Sequence, residues 1–426
     1  MRIYTEVYGC SANLSDYEIA LGLLKERGFS FSENPHKSVL NIIFTCCVKV
    51  PTTSRMFHRI AELTKSGRPL IVAGCISKVM RSSIEKINPS ASLVGPDALE
   101  KIVDAVDYTL KGKKFVWLKD LRKPKVFLPK LRKNPVIDVI EISTGCLGSC
   151  SYCIVKNVKG NLFSYPPELI VKEAKFAVND GCKELWLTSQ DSSCYGADIK
   201  TTLPNLINNI CEIHGKFFIR VGMMNPDHAK QNLQQLIEAY KNEKVFKFLH
   251  LPVQSFSPRI LKEMKRNYSP NMVLEVIEKF YKVFPRFTLS TDVIVGFPGE
   301  SDEDFQKTID FVKKIKPDIV NISKFGLQPN TEAAKMEQLP RDVVDNRSRE
   351  LTKVVKQITL EKNQKWIGWS GECLIDERGK KNSWIGRNFS YKPVVIRSNK
   401  KLLGEFVRVE VTDAKSNYLI GNVFGC

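Results

Sequence analysis

The chain has 426 residues, which is too long for one ordinary hydrophobic core and predicts two or three domains. Its hydrophobic content of 43% is typical of a globular protein, and no apolar run reaches the roughly 18 residues of a membrane span, which argues against a membrane protein. No basic segment followed by an apolar core opens the chain, so we expect a cytoplasmic protein. The formal net charge of +19 indicates either a lysine-rich solvated surface or a polyanionic partner.

Strand-like and helix-like patterns alternate through residues 1–112. The strand patterns are IYTEVYG, SVLNIIFT and PLIVAGC, and the helix patterns are DYEIALGLLKERG and SRMFHRIAELTKSG. This alternation predicts a parallel α/β domain, in which ligands gather beyond the carboxyl ends of the strands. Cys10, Cys46 and Cys75 each lie near the end of one of the three strands.

Residues 113–134 form a predicted basic linker. From Lys111 to Lys133 ten lysines and arginines face a single acidic residue, Asp120, and three aromatic residues are interleaved with them. Clustered cations with aromatic neighbours favour a linker or edge that contacts nucleic acid over a uniformly charged surface.

Residues 135–365 repeat the strand–helix pattern six times. The strand patterns are VIDVIEIST, KELWLTSQ, KFFIRVGM, VFKFLHLPV, RFTLSTDVIVGF and DIVNISKFG. Six repeats over this length predict a partial (β/α) barrel, whose chemistry lies at the C-terminal ends of its strands.

Residues 366–426 change to short strands and turns, which predicts a small antiparallel β-barrel. Basic and aromatic side chains in this region favour binding of looped or single-stranded nucleic acid. The alternative is a structural cap with the aromatic rings in its core. The residues concerned are Arg378, Lys380, Lys381, Trp384, Arg387, Phe389, Tyr391, Lys392 and Arg397.

Twelve cysteines in a chain expected in a reducing compartment indicate metal binding or catalysis rather than disulfides. Cys146, Cys150 and Cys153 have the spacing C-x3-C-x2-C after a predicted strand, and Gly145 and Gly148 leave room for a tight turn. Three thiolates on one loop can hold a [4Fe–4S] cluster with one open iron, where S-adenosylmethionine can bind. A zinc site is the alternative, but it would usually show paired cysteines or histidines. Four other cysteines fit structural positions: Cys182, Cys211, Cys373 and Cys426.

This cysteine triplet, with Tyr152 before its last member and IVKNVKG after it, resembles the radical S-adenosylmethionine superfamily, and more narrowly the tRNA methylthiotransferases. The segments YGCSAN, TCCVK and VAGC are similar to the family's N-terminal domain, and LTSQDSSCYG, IRVGMMNP, HLPVQS, KEMKRNY and TDVIVGFPGESDEDF to its barrel motifs. YKPVV and EVTDA resemble its RNA-binding TRAM domain.

The resemblance implies two [4Fe–4S] clusters, the second held by Cys10, Cys46 and Cys75. Cys47 is adjacent to Cys46, and alignment on Val48 favours Cys46.

The resemblance also implies the reaction. CVKVPT and SYP are similar to the archaeal and eukaryotic branch, which converts N6-threonylcarbamoyladenosine beside the anticodon (position 37) to its 2-methylthio derivative. The absence of a C-terminal membrane anchor favours the archaeal type. Alternative acceptors are isopentenyladenosine in tRNA and an aspartate of a ribosomal protein, and a non-enzymatic alternative is a redox-sensing iron–sulfur RNA-binding protein. The implied partners are the anticodon stem-loop of tRNA, an electron donor and a sulfur donor.

Polar residues at the predicted strand ends are candidate contacts for S-adenosylmethionine. Three departures from the family's common pattern also stand out: Phe44 in place of Asn, Phe256 in place of Gly and Lys159 in place of Arg, with Phe256 expected to alter the base pocket. For the Pro298–Gly299 turn, a loop-shaping role is the alternative. The candidate contacts are Gln190, Arg220, Gln254, Asp292 and Gly296.

Overall fold

The computed structural model describes residues 1–48 and 50–424 and shows an N-terminal α/β domain, a partial barrel and a small closed C-terminal barrel. The predicted fold class is therefore confirmed. The predicted boundaries after residues 112, 134 and 365 stay predictions.

The N-terminal domain is built on a six-stranded parallel sheet with the order β2-β1-β3-β4-β5-β6. Every residue of β3 and β4 is buried because helices cover both faces of the sheet. Its strands are β1 (Arg2–Val7), β2 (Ser30–Ser32), β3 (Leu40–Thr45), β4 (Leu70–Gly74), β5 (Ser92–Val94) and β6 (Val116–Trp117). Its helices are α1 (Ser11–Glu26), α2 (Val50–Lys65), α3 (Cys75–Val79), α4 (Arg81–Ile87) and α5 (Ile102–Leu110).

The partial barrel contains two three-stranded parallel sheets, β7-β10-β11 and β12-β13-β14, which meet at a bridge between Ile219 and Val245. Its strands are β7 (Ile137–Glu141), β8 (Ser143–Thr144), β9 (Phe163–Ser164), β10 (Glu184–Thr188), β11 (Phe218–Val221), β12 (Phe248–His250), β13 (Thr288–Val295) and β14 (Ile319–Lys324). Its helices are α6 (Val155–Lys159), α7 (Pro167–Asn179), α8 (Leu203–Cys211), α9 (Pro226–Gln231), α10 (Leu233–Lys241), α11 (Pro258–Glu263), α12 (Pro270–Val283), α13 (Asp302–Ile315) and α14 (Arg341–Gln364).

The C-terminal domain is a closed five-stranded barrel with the order β15-β16-β17-β19-β18. Four of its strand pairs are antiparallel, but β17 and β19 pair in parallel, which the prediction of an antiparallel barrel did not include. The strands are β15 (Ser370–Arg378), β16 (Ser383–Asn388), β17 (Pro393–Arg397), β18 (Phe406–Ala414) and β19 (Leu419–Val423).

The small barrel packs against the N-terminal ends of the partial-barrel strands. The ring of Tyr391 lies 4.8 Å from that of Phe246 and 5.1 Å from that of Phe248, the first residue of β12. Ser390 Oγ lies 3.0 Å from the hydroxyl of Thr288, the first residue of β13. The C-terminal domain is therefore opposite the strand ends at which barrel chemistry is expected.

Part of the basic segment is built into the domains, while its contact with nucleic acid stays a prediction. Val116–Trp117 joins the N-terminal sheet as β6, Lys125 is buried between domains, and the side chains of Lys130 and Arg132 are mostly withdrawn from solvent. Lys125 pairs with Asp16 and with Glu141 at 2.6 Å, and Arg132 pairs with Asp138 at 2.8 Å. Lys130 pairs with Glu173. Buried carboxylates explain these positions, since a buried cation needs a charged partner.

Candidate active site

The loop with Cys146, Cys150 and Cys153 follows β7 and β8, at the carboxyl edge of the partial barrel. Gly145 has a φ of +76°, and a Cβ atom on it would lie 2.0 Å from the carbonyl oxygen of Asn161, so only glycine fits there. The backbone N–H of Gly148 donates to Cys146 Sγ at 3.3 Å. The loop thus wraps around its own first thiol.

Contacts with two other segments fix this loop. Ser151 Oγ donates to the carbonyl of Glu263 at 2.7 Å, and its backbone N–H donates to the carbonyl of Met264 at 3.2 Å. Tyr152 packs edge-on against Phe297, which belongs to the GFPGE turn after β13. The three cysteines therefore stand on a preorganised support.

Arg266 brings a positive charge to the cysteine loop. Its Nη1 donates to Cys150 Sγ at 3.4 Å, and its Nη2 donates to the carbonyl of Pro252 at 2.7 Å. Burial raises the pKa of Cys146 to about 11 and that of Cys153 to about 12, so deprotonation of these thiols needs added positive charge. Iron ions supply that charge, and three thiols with one cationic neighbour suit an iron–sulfur cluster.

A polar group that sequence reasoning missed lies beside Cys146. Asp191 pairs with His228 Nδ1 at 2.5 Å and accepts the backbone N–H of Asn225 at 3.0 Å, while Cys194 Sγ donates to the carbonyl of Asp191 at 3.1 Å. One oxygen, sulfur or nitrogen from each of Asp191, Cys194 and His228 lies within 4.8 Å of the others. Asp191 and Cys194 belong to the LTSQDSSCYG motif, which is the signal that the sequence offers for them, whereas His228 lies outside the motifs quoted above.

Cys10, Cys46 and Cys75 come together in the structure. They follow β1, β3 and β4, which are neighbours in the sheet, so their strand ends lie side by side. A Cβ atom on Gly9, which has a φ of +119°, would lie 2.5 Å from the Cβ of Cys46. Asn13 also ties the group together, since its Nδ2 donates to the carbonyl of Thr45 at 2.9 Å and its Oδ1 accepts from Cys75 Sγ at 3.8 Å.

A fourth thiol, that of Cys47, belongs to this group. Cys46 forms a hydrogen bond with Cys10, while Cys47 forms one with Cys75. The bond with Cys46 lowers the pKa of Cys10 to about 6, which favours its thiolate. Cys10 remains accessible to solvent, whereas the other three are buried. Which of Cys46 and Cys47 serves as a ligand stays a prediction in favour of Cys46.

The two cysteine groups lie on facing edges. The hydroxyls of Ser11 and Thr188 are 2.8 Å apart, and Ser11 follows Cys10 while Thr188 ends β10. On the other side, Gln328 Nε2 donates to the carbonyl of Cys47 at 2.8 Å. The carboxyl edge of the N-terminal sheet therefore meets the carboxyl edge of the partial barrel.

The predicted contacts for S-adenosylmethionine fall into two sets. Gln254 has a φ of +75° and donates its backbone N–H to the carbonyl of Asp292 at 2.7 Å, so the segment after β12 meets the middle of β13. Gln190 lies just beyond β10. The roles of all three stay predictions.

The other two predicted contacts have structural partners. The guanidinium of Arg220 lies among the rings of Trp186, Phe248 and Tyr391 at 4.9–5.3 Å, near the C-terminal barrel. Gly296 donates its backbone N–H to Glu300 at 2.8 Å and packs against Val344 of α14, and its role as a cofactor contact stays a prediction.

Three of the cysteines expected to be structural are buried in hydrophobic cores: Cys182 and Cys211 in the partial barrel and Cys373 in the small barrel. Cys426 lies outside the described residues. All eleven cysteines of the described ranges 1–48 and 50–424 are free thiols.

Phe256 is buried in the core of the partial barrel, and its effect on the base pocket stays a prediction. Its ring stacks on that of Phe311 at 4.2 Å, and the side chain is buried against α13. Phe44 is likewise buried, edge-on to Tyr17 at 5.4 Å. Both departures from the common pattern are thus accommodated by hydrophobic packing.

The expected nucleic-acid surface of the C-terminal barrel is smaller than predicted. Arg387 is paired with Asp376 at 2.9 Å, Lys392 is paired with Asp318 at 2.8 Å, and Tyr391 is buried. Phe389 packs with Trp366 and Trp369. These side chains follow the alternative of a structural cap. Of the cations singled out in the sequence of this domain, four remain exposed: Arg378, Lys380, Lys381 and Arg397.

Comparison with known proteins indicates the class of protein to which the chain belongs. Family models match the chain as the Radical SAM superfamily over residues 140–312, the Uncharacterized protein family UPF0004 over residues 2–95 and the TRAM domain over residues 371–424. The fold is similar to the radical S-adenosylmethionine methyltransferase TsrM from Kitasatospora setae, with a TM-score of 0.56 and 13% identity, covering 78% of this chain and 77% of that one. Fold and cysteine loop define a radical S-adenosylmethionine enzyme, a class that implies a [4Fe–4S] cluster and S-adenosylmethionine as cofactors.

Proteins of similar sequence show the family to which the chain belongs. The chain is 41% identical over 426 residues to the "Probable threonylcarbamoyladenosine tRNA methylthiotransferase" of Pyrococcus horikoshii, with 99% of both chains covered. It is 34% identical over 430 residues to the "Threonylcarbamoyladenosine tRNA methylthiotransferase" of Homo sapiens, covering 99% of this chain and 73% of the human protein. The chain therefore belongs to the threonylcarbamoyladenosine tRNA methylthiotransferase family, as its motifs indicated. No helix in the described ranges has the length and apolarity to cross a membrane.

Proposed function

We propose that this protein inserts a methylthio group at C2 of N6-threonylcarbamoyladenosine beside the anticodon of tRNA. The observation that carries the proposal is the Ser11–Thr188 contact, which holds one cysteine group opposite the other. Membership of the family and the TRAM domain support tRNA as the substrate.

Cys146, Cys150 and Cys153 would hold the cluster that binds S-adenosylmethionine, and Cys10, Cys46 and Cys75 a second cluster. When bound, the first supplies one-electron cleavage of S-adenosylmethionine, which the unactivated C2–H bond of adenine requires, and the second carries the sulfur. The chain positions these groups: Arg266 offers positive charge to Cys150, and Asn13 fixes the N-terminal thiols. The proposed partners are the anticodon stem-loop, an electron donor and a sulfur donor, in the cytoplasm.

Anaerobic reconstitution tests the proposal. We expect about eight irons per chain, about four after replacement of Cys146, Cys150 and Cys153 by alanine, and about four after replacement of Cys10, Cys46 and Cys75. Binding of only about four irons by the unaltered chain would remove the second cluster.

Acceptors are tested separately by mass spectrometry of nucleosides. Incubation with tRNA carrying threonylcarbamoyladenosine is expected to give the methylthio product, while tRNA carrying isopentenyladenosine and a ribosomal protein are expected to stay unchanged. Modification of either of those two alone would replace the proposed acceptor. Failure to form 5′-deoxyadenosine under reducing conditions would favour a redox-sensing RNA-binding protein.

A further inference from the structure

A buried group of four charges lies between the two cysteine groups. Lys125 forms hydrogen bonds with Asp16 and Glu141. The ammonium of Lys159 is only within ion-pair range of the same carboxylates, 3.5 Å from Asp16 and 3.7 Å from Glu141. The two cations and the two anions balance in charge. Between the two cations, however, the hydrogen bonds to the carboxylates come from Lys125 and not from Lys159.

Lys159 is the cation of this group whose ammonium makes no hydrogen bond, and Oε1 of Glu141 also has no partner among the described residues. The side chain of Lys159 is 5% exposed, and within residues 1–48 and 50–424 its Nζ has no hydrogen-bond acceptor. An ammonium carries three donors, and a buried donor without an acceptor is costly because water no longer satisfies it. Native proteins satisfy nearly all such groups, so these donors indicate an acceptor from outside the chain.

The residues around Lys159 indicate where that acceptor lies. Lys159 ends α6, which begins two residues after Cys153. Ile154, the N-cap residue of this short helix, and Val158 within it pack in one core with Cys75, and Lys78 Nζ donates to the carbonyl of Val158 at 2.8 Å. Lys159 also interacts electrostatically with Cys10 and Cys75. Its ammonium therefore stands between the cysteine loop and the N-terminal thiols.

We propose that Lys159 binds the transferred sulfur, by donating hydrogen bonds to a small sulfur anion held at the N-terminal cysteine group. This inference rests on the proposed function, because it requires a cluster at Cys10, Cys46 and Cys75. The anion is hydrosulfide before methylation or methanethiolate after it. Both are singly charged and accept hydrogen bonds, so a fixed cation holds the sulfur and orients it. Lys159 acts as a binding and positioning residue.

Binding measured on the second cluster alone tests this role. The parent for all variants is the full chain with Cys146, Cys150 and Cys153 replaced by alanine and loaded anaerobically with iron. Methanethiolate, and sulfide in a separate series, are titrated in while the absorption and electron paramagnetic resonance of the cluster are followed. We expect Lys159→Gln to weaken binding about tenfold, as loss of a charge-assisted hydrogen bond implies. Lys159→Arg is expected to stay within about threefold of the parent, because it keeps the charge.

The matched control is Lys156→Gln, on the exposed face of the same helix, which is expected to bind both anions like the parent. Weakened binding of one anion only identifies the species that Lys159 holds. Equal affinity of Lys159→Gln and the parent for both anions overturns the inference while leaving the two-cluster function intact. A parent that binds no iron overturns both.

Loss of iron in Lys159→Gln itself would point to charge imbalance in the buried group. The double variant Glu141→Gln/Lys159→Gln keeps that group balanced, and Glu141→Gln alone is its control. We expect the double variant to load about four irons and to bind the anions about tenfold more weakly than the control. If the double variant also fails to load, Lys159 is a structural residue and the inference is wrong.

Discussion

The hydroxyls of Ser11 and Thr188 meet at 2.8 Å across the boundary between the N-terminal domain and the partial barrel. Ser11 adjoins Cys10, and Thr188 lies two residues before Gln190. Each side of the contact thus belongs to the backbone that carries one half of the candidate site, and the contact fixes the two halves relative to each other.

Thr188→Val should separate radical formation from sulfur insertion. The variant loses the hydroxyl and keeps the shape, which removes a hydrogen bond of about 1 kcal/mol, or roughly a fivefold effect. We expect normal iron content and 5′-deoxyadenosine formation, with about fivefold less modified tRNA per 5′-deoxyadenosine. Thr352→Val on α14, whose hydroxyl bonds only to the carbonyl of Ser348, serves as the control. An unchanged ratio in Thr188→Val would contradict the role given to this contact.

Separate replacements of Cys46 and Cys47 decide which thiol binds the second cluster. We expect Cys46→Ala to lose about four irons, while Cys47→Ala keeps about eight, as measured by iron and sulfide analysis. Both side chains are buried, so thermal unfolding of the iron-free variants checks that folding is equal. The opposite pattern would show that Cys47, which lies beside Cys75 in the structure, is the ligand in place of Cys46.

Arg266→Gln should impair the first cluster without removing it. A hydrogen bond to a charged sulfur contributes about 1.5–3 kcal/mol, so its loss should slow 5′-deoxyadenosine formation roughly 10- to 100-fold. A redox titration followed by electron paramagnetic resonance is expected to show a more negative potential, because a cation near the cluster favours the reduced state. Arg266→Lys should recover part of both effects. Normal potential in Arg266→Gln would disprove the electrostatic role.

Glu184 makes stability depend on pH. Burial, and then the carboxylate of Asp376, raise the pKa of Glu184 to about 8 from an ordinary value of 4.5. Between these values the unfolded chain loses its proton while the folded chain keeps it, so stability falls as pH rises towards 8. Glu184→Gln removes this loss, and we expect its Tm to exceed that of the unaltered chain by roughly 1–3 °C at pH 8.5 but not at pH 5.

The control for this pH effect is Glu168→Gln, an exposed position on α7. Its Tm should follow that of the unaltered chain at both pH values. Parallel melting curves for Glu184→Gln and the unaltered chain would show that Glu184 is ionised in the folded state.

The exposed cations of the C-terminal barrel should carry tRNA affinity. Arg378→Gln with Lys380→Gln and Lys381→Gln is expected to weaken binding and to lower the slope of log affinity against log salt by about 1 for each lost phosphate contact. Fluorescence anisotropy at several salt concentrations measures both. Lys313→Gln with Lys314→Gln, on the exposed face of α13, removes similar charge elsewhere and should leave the slope unchanged. Equal losses in both variants would indicate a general charge effect.

The sequence predicted the fold class and the loop of three cysteines because both rest on strong local signals, whereas the grouping of Cys10, Cys46 and Cys75 came from the family resemblance. Buried strand patterns in SVLNIIFT and PLIVAGC became β3 and β4, and the close spacing of Cys146, Cys150 and Cys153 confines them to one loop. The short strands β2, β5 and β6 have too few residues for a periodic signal, so the sheet is wider than predicted.

The remaining parts of the candidate site could not be predicted, because they depend on contacts between residues that are far apart in the chain. Arg266 reaches Cys150 from 116 positions away, and Lys125 reaches Asp16 from 109 positions away. Composition shows that Lys125, Arg387 and Lys392 are cationic but not that buried carboxylates neutralise them. A basic stretch therefore predicted more nucleic-acid surface than the fold leaves exposed.

Tyr391 gives the C-terminal barrel a second purpose. Its ring, with those of Phe246 and Phe248, closes the floor of the partial barrel at the N-terminal ends of its strands, so the C-terminal module is also a wall of that barrel. A chain truncated before residue 366 would open that floor to water and present an aromatic surface prone to aggregation. Exchange of the module with that of another protein would need the same ring at the same place.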